Sequence, residues 1–185
     1  MGVTIKRSIL SGILVGLGVV SQVQISNQYI AAMLFSVALL VIIEQNLKLY
    51  TGKIGFFRVK EINKLSVILL GNLIGVIIPI SCCLFKDGFY NRIIEISNVK
   101  FSNGYIELFL YGLMCGALMF IAVYCNKPII TVFCIMTFIL SGYEHCIADF
   151  PYLFFNFNID HLLKFLCIIF GNSIGAISIN KLFKR

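Results

Sequence analysis

The sequence predicts an all-α integral membrane protein with six transmembrane helices, and its composition and charge pattern carry that prediction. Apolar residues make up 59% of the 185-residue chain and charged residues only 12%, with a mean hydropathy of +0.97. A soluble domain carries about a quarter charged residues. The charges also lie in clusters between apolar stretches of about 20 residues, the length of helix that crosses a bilayer. We therefore treat residues 1–185 as a single transmembrane domain.

Six apolar stretches of roughly span length follow one another along the chain, and we predict that each crosses the membrane. The predicted spans are Ser8–Ile25, Tyr29–Leu49, Leu65–Phe85, Tyr105–Tyr124, Ile129–Ala148 and His161–Asn180. The first span follows Lys6 and Arg7, as the apolar core of a signal peptide would. No small-x-small cleavage site follows Val20, so we expect this span to be retained.

The basic residues divide unequally between the two faces of this topology. The larger set holds eleven: Lys6, Arg7, Lys48, Lys53, Arg58, Lys60, Lys64, Lys127, Lys181, Lys184 and Arg185. The smaller set is Lys86, Arg92, Lys100 and Lys164. Because basic loops stay cytoplasmic, we predict a multi-pass protein of the plasma or inner membrane with both termini in the cytoplasm. The net charge of +7 then suits the lipid bilayer. We expect no nucleic-acid partner, since the membrane topology already explains the positive charge.

The seven cysteines lie in or at the ends of predicted spans, at positions 82, 83, 115, 125, 134, 146 and 167. None belongs to a CxxC pair, and none has the spacing to a histidine that a metal site requires. We therefore expect no disulfide, no metal site and no cofactor.

Short glycine motifs recur at matching places in the two halves of the chain. GNLIG at 71–75 returns as GNSIG at 171–175, and GxxxG at 12–16 returns at 112–116. Each half holds three predicted spans, an odd number, so the second half would enter the membrane inverted relative to the first. Small residues at this spacing also serve simple helix packing. Their symmetric placement favours a 3+3 inverted repeat, an arrangement typical of transport proteins.

The second and fifth predicted spans run into polar residues, which predicts that these two helices are broken and line a pathway. The apolar part of the second span meets EQNLK at 44–48, and that of the fifth meets SGYEHCIAD at 141–149. Glu144 and His145 are costly at membrane depth unless they face a cavity or a partner. We therefore expect a functional site at the breaks.

These stretches resemble the motifs of the formate–nitrite transporter family. Members of that family carry Leu-Phe-Thr in the second span, Gly-Phe-Glu-His-Ser-x-Ala-Asn in the fifth and Gly-Asn-x-x-Gly in the third and sixth. This chain has LYT at 49–51, GYEHCIAD at 142–149 and both GNxxG motifs. The resemblance covers about residues 5–180. It implies an aquaporin-like architecture, a homopentamer, and a channel or transporter for small monovalent anions of weak acids, of the formate, nitrite or hydrosulfide type.

The resemblance also implies where a pathway runs. The family's pore constrictions correspond to Phe35, Leu39, Leu49, Tyr50 and Phe138. Its substrate-pathway residues correspond to His145, Thr51, Lys100, Asn172, Asn72 and Glu144, with Lys100 in an outer vestibule. Besides the exchange of Phe for Tyr in two of these motifs, Lys48 replaces an acidic residue, Cys146 replaces Ser and Asp149 replaces Asn.

The expected mechanism follows from the cost of moving an anion into hydrocarbon-like surroundings, which is on the order of 20 kcal/mol in the idealised Born limit. The helix breaks would present free backbone N–H groups and positive dipole ends to the anion. Lys100 would attract the anion from a distance. His145 would either hydrogen-bond the anion or give it a proton, and we expect protonation for formate-like substrates.

Some roles and functions stay open at this level. We expect Glu144 to accept hydrogen bonds from the broken backbone, and Thr51 either to hold the break or to contact the anion. Asn72 and Asn172 either join helices or contact the anion. The main alternative function is a six-helix substrate-binding subunit of a vitamin transporter, which would keep its helices unbroken. We expect no enzyme, since Ser141 lacks a Gly-x-Ser-Gly setting and no clustered carboxylates or Arg residues suggest phosphate chemistry.

Overall fold

The structure, a computed structural model, describes residues 2–56 and 58–184. In these ranges the chain folds into helices joined by short connections. The helices are α1 (Gly2–Gln24), α2 (Gln28–Glu44), α3 (Tyr50–Ile54), α4 (Ile62–Cys83), α5 (Phe89–Phe101), α6 (Tyr105–Cys125), α7 (Pro128–Leu140), α8 (Cys146–Phe155) and α9 (Ile159–Phe183). A 3-10 turn at Val59–Glu61 precedes α4. Arg185, assigned above to the cytoplasmic set, lies outside the described residues.

Four helices are long and apolar enough to cross a membrane, namely α1, α4, α6 and α9, with 21 to 25 residues each. They match the first, third, fourth and sixth predicted spans. Large apolar side chains point away from the protein, such as Leu70, Ile106 and Phe170, which are 59%, 75% and 61% exposed. Contact of such side chains with lipid tails has no free-energy cost, whereas their contact with water would be unfavourable. The prediction of an all-helical protein with membrane-spanning helices is confirmed.

The second and fifth predicted spans are each divided into two shorter helices. Residues 45–49 separate α2 from α3, and residues 141–145 separate α7 from α8. The second half-helix of the fifth span is longer than predicted, because α8 continues to Phe155. A further helix that the hydropathy pattern did not indicate, α5, fills most of the connection between the third and fourth spans.

Both interrupted helices end in the same backbone motif. Asn46 after α2 and Gly142 after α7 adopt left-handed conformations, with φ of 50° and 69°. In the first case the Leu47 N–H donates to the Ile42 carbonyl at 2.9 Å, and the corresponding bond after Gly142 also measures 2.9 Å. These are Schellman motifs, which satisfy the last carbonyls of a helix and stop it sharply. Local backbone chemistry therefore ends α2 and α7.

Glycines let the long helices pack in two very close pairs, α1 with α4 and α6 with α9. A Cβ atom on Gly75 would overlap the carbonyl oxygen of Ile9, and one on Gly175 would overlap that of Leu113. Such close approach is possible only without a side chain. It brings the asparagines of the two GNxxG motifs against the backbone of the neighbouring long helix.

Candidate functional site

Asn72 connects the first helix break to two long helices. Its Nδ2 donates to the carbonyl oxygens of Ser8 on α1, at 2.7 Å, and of Lys48 in the break, at 2.8 Å. Its Oδ1 accepts the N–H of Tyr50, the first residue of α3, at 2.8 Å. The side chain is fully buried, so these three bonds satisfy polar groups that water does not reach.

Asn172 makes the same three kinds of bond at the second break. Its Nδ2 donates to the carbonyl oxygens of Gly112 on α6 and Glu144 in the break, both at 2.8 Å. Its Oδ1 accepts the N–H of Cys146, the first residue of α8, at 2.9 Å. In both breaks the carbonyl that the asparagine Nδ2 binds belongs to the residue two positions before the one whose N–H donates to Oδ1.

These contacts correct the register of the glycine motifs. The asparagine of the first half binds Ser8, and that of the second half binds Gly112, so Ser8 and Gly112 are equivalent positions. One turn later, a Cβ on Gly12 would meet the carbonyl of Asn72, as a Cβ on Gly116 would meet that of Asn172. Matching 12–16 with 112–116 was therefore wrong by one helical turn, because Ser8 occupies the position in the first half that Gly112 occupies in the second.

His145 and Thr51 meet at the point where the two breaks approach each other. The Thr51 hydroxyl oxygen lies 2.9 Å from His145 Nε2. His145 Nδ1 accepts the backbone N–H of Ala148 at 3.2 Å, so the ring also caps the start of α8. Since Nδ1 is an acceptor, Nε2 carries the proton and donates it to the Thr51 oxygen. Both residues are at least 98% buried, and the Thr51 hydroxyl keeps its own hydrogen to donate.

The His145 ring borders a small, mostly apolar cavity of about 10 Å³, which we name the central cavity. Its walls are Val15, Phe35, Ala38, Leu39, Leu49, Met119, Ile135, Phe138 and His145. Four of the five predicted constriction residues are therefore together around the histidine.

Larger cavities lie beyond the central cavity on both sides. One of about 500 Å³ is lined by Arg92, Lys100, Tyr152 and the α1–α2 connection, and we name it the Lys100 cavity. The other, of about 330 Å³, is lined by the α2–α3 break, Lys53 and the end of α6, and we name it the Lys53 cavity. Helix α2 borders the Lys100 cavity at Ala31, the central cavity at Phe35 and the Lys53 cavity at Ile42. The three cavities therefore follow α2 in sequence.

Two apolar closures separate these cavities. The rings of Phe35 and Phe138 meet edge to face with centroids 5.9 Å apart, on the side of the Lys100 cavity. Leu39 and Leu49 line both the central and the Lys53 cavity, and so stand between them. Tyr50, the fifth predicted constriction residue, does not line the central cavity. Its hydroxyl lies 2.9 Å from the Ser173 hydroxyl on α9.

Lys100 is ion-paired with two carboxylates. Its Nζ binds Glu144 Oε2 and lies 3.2 Å from Asp149 Oδ1. The Lys100 side chain is 24% exposed, and each carboxylate side chain is 4% exposed. The ammonium also stands 5.6 Å from the centre of the Tyr152 ring, within the range of a cation–π interaction.

Sequence reasoning missed several of these arrangements. Glu144 was expected to accept hydrogen bonds from the broken backbone, but its carboxylate binds Lys100 and only its carbonyl serves the break. The backbone N–H groups expected to face an anion include those of Tyr50 and Cys146, which the asparagines occupy. The partnership of Asp149 with Lys100 joins residues far apart in sequence, and no spacing pattern indicates it.

Comparison with known proteins agrees with this architecture. The profile of the family described as formate/nitrite transporter matches residues 1–184. A solved structure titled "Pentameric formate channel with formate bound" superposes with a TM-score of 0.83 at 19% identity, covering 97% of this chain and 94% of that one. Another, titled "FNT family ion channel", gives 0.83 at 20% identity, with 97% and 87% covered. No curated protein matches the sequence. The fold is shared with these channels, and the family profile spans nearly the whole chain, so the chain belongs to the formate/nitrite transporter family.

Proposed function

We propose that this protein is a channel or transporter for small monovalent anions of weak acids, of the formate, nitrite or hydrosulfide type. The observation that carries the proposal is the Thr51–His145 pair, whose imidazole ring borders the apolar central cavity, with a larger cavity on each side. The hydrogen of the Thr51 hydroxyl, which the histidine leaves free, can donate to a small anion without placing a fixed charge in the constriction. The two apolar closures exclude water, so this donor replaces part of the hydration that the anion loses there.

We also propose that transport is linked to protons through His145. The His145 ring is titratable and borders the central cavity, and an anion that accepts a proton there crosses the second apolar closure without charge. Because Nδ1 accepts the Ala148 N–H, the ring is neutral in this conformation. A proton therefore enters at Nδ1 when that bond opens, and Nε2–H then serves as the acid.

The assembly and topology belong to the same proposal. Formate is bound and five subunits assemble in one of the solved relatives, and we propose a homopentamer with one pathway per subunit here. The matched bonds of Asn72 and Asn172 support a 3+3 inverted repeat of six spans. Lys48, Lys53 and Lys64 line one surface cavity together, which supports a basic cytoplasmic face that also holds both termini.

Uptake into proteoliposomes tests the proposal. Formate, nitrite and hydrosulfide are offered across a pH series while the internal pH is recorded, for the wild type and for His145→Asn, with pentamer assembly checked in each sample. Proton-linked transport predicts that the variant loses most uptake or becomes an anion leak without internal acidification. Unchanged proton-coupled uptake in the variant excludes His145 as the proton donor, and absence of uptake of every anion by the wild type refutes the transport proposal.

The vitamin-binding alternative is not supported. Both candidate pathway helices are broken, whereas such a subunit keeps its helices continuous, and the profile match is to channels and transporters. Uptake of a small anion without ATP separates the two functions directly.

A further inference from the structure

The cluster around Lys100 contains one more carboxylate than the lysine neutralises. Glu144 and Asp149 both pair with the same ammonium. With all three groups ionised the cluster carries one net negative charge. Its carboxylates are almost completely shielded from water, where an uncompensated charge is expensive.

The second carboxylate oxygen of Asp149 is also without a partner. Oδ2 is buried and accepts no hydrogen bond from the described residues. An ionised oxygen in that position forfeits its hydration without replacement. The Glu144 and Asp149 carboxyl groups both bind the Lys100 ammonium and therefore lie beside each other. A bond between two carboxyl groups forms only when one of them carries a proton.

We propose that Glu144 and Asp149 form a proton-binding site that holds one proton between two carboxyl groups beside Lys100. A proton from water binds a carboxylate oxygen, the carboxylate becomes a carboxylic acid, and the net charge of the cluster rises from minus one to zero. Lys100 and Tyr152 line the Lys100 cavity. An anion that enters this cavity therefore meets a cluster whose net charge is either zero or minus one.

The other groups near the site leave this charge balance intact. The remaining titratable neighbours of Asp149 are Cys115 from α6, Cys146 and Tyr152 from α8, and His145 from the break. Arg92, from α5, lines the Lys100 cavity further out. The buried residues of α1, α4 and α9, which also contact α8, include no titratable side chain. Lys100 is therefore the compensating cation within the cluster.

The effect on transport rests on the proposed function, but proton binding itself does not. In the wild type at high pH the site holds no proton, and its negative charge repels an incoming anion. At lower pH the proton is bound and this repulsion is absent. Asp149→Asn keeps the shape and makes the cluster neutral at every pH. One unit of charge at roughly 10 Å with an effective dielectric of about 20 changes an anion's occupancy by about tenfold.

Infrared spectroscopy of the reconstituted protein tests the site directly, through the C=O band of protonated carboxyl groups. At about pH 6, where exposed carboxyl groups are ionised, the wild type should show this band, and Asp149→Asn and Glu144→Gln should each lose it. Glu95→Gln is the control, since Glu95 forms an exposed surface pair with Arg92, and it should retain the band. Absence of the band from the wild type, or its persistence in both cluster variants, overturns the proposal.

Formate uptake then tests the consequence. The ratio of Asp149→Asn uptake to wild-type uptake cancels the pH effects that both proteins share, including protonation of formate and of His145. The ratio should be near one at low pH and rise to about tenfold at high pH. A ratio that does not change with pH overturns the charge effect. A wild type that shows the infrared band but takes up no formate instead counts against the proposed function.

Discussion

The Thr51 hydroxyl and the His145 imidazole, 94 residues apart in sequence, lie 2.9 Å apart between the two helix breaks. Each residue has a structural as well as a chemical role. His145 caps α8 through Nδ1, while Thr51 lies in the first turn of α3. The bond therefore fixes the ring orientation and leaves the threonine hydrogen free to donate to another group.

Removing the Thr51 hydroxyl should slow transport and also lower the stability of the protein. Thr51→Val keeps the shape but leaves the His145 Nε2–H without an acceptor, at a cost of about 1–3 kcal/mol. We expect formate uptake to fall by at least about tenfold if the hydroxyl also contacts the anion. Thr51→Ser, which keeps the hydroxyl, is the matched control and should transport nearly as well as the wild type. Equal uptake by the serine and valine variants would show that the hydroxyl has no part in transport.

Asn172 should be required for a stable fold. Asn172→Ala leaves the buried Cys146 N–H without a partner, at a cost of about 1–3 kcal/mol, and also removes the hydrogen bonds to two carbonyl groups. We expect a clear drop in the temperature at which the detergent-solubilised protein unfolds. Asn63→Ala, at an exposed position in the first turn of α4, should leave that temperature unchanged. A variant of Asn172 with wild-type stability would contradict the role given to its three hydrogen bonds.

Lys100 should act through its ion pairs and not through long-range steering. Lys100→Ala leaves the buried carboxyl groups of Glu144 and Asp149 without their compensating cation, which we expect to cost about 3–5 kcal/mol of stability. The loss of uptake should persist at high salt and saturating formate, because salt screens a buried charge much less than an exposed one. Lys86→Ala, at an exposed position, is the control. A loss that vanishes at high salt would restore the steering role predicted from the sequence.

The topology can be tested by labelling single cysteines with a membrane-impermeant maleimide in intact cells. Introduced in a background without the exposed Cys82, Lys86→Cys should react from outside. Lys127→Cys should react only after the membrane is permeabilised. Both positions are exposed in the structure, so accessibility within the protein does not bias the result. The reverse pattern would invert the proposed orientation and place both termini outside.

The sequence predicted the parts of this molecule that depend on local pattern. Long apolar runs gave the four spanning helices, and the polar residues after Ile43 and Leu140 indicated both helix breaks. Helix α5 was missed because its exposed face is polar and its hydropathy is low, which reads as a loop. The paired bonds of Asn72 and Asn172 depend on which backbone groups a fold leaves free. The contacts of Lys100 depend on tertiary packing across 44 residues, which no periodicity records.

Each asparagine fastens its break to the long helices of its own half, Asn72 to α1 and α4 and Asn172 to α6 and α9. The bonds from Thr51 to His145 and from Tyr50 to Ser173 run between the halves instead. A displacement of one half against the other would therefore carry each break along and stretch these cross-links, together with the bond from Asn180 on α9 to the Gly55 carbonyl after α3. The distance between the Thr51 hydroxyl oxygen and His145 Nε2 therefore reports how far the two halves have moved apart.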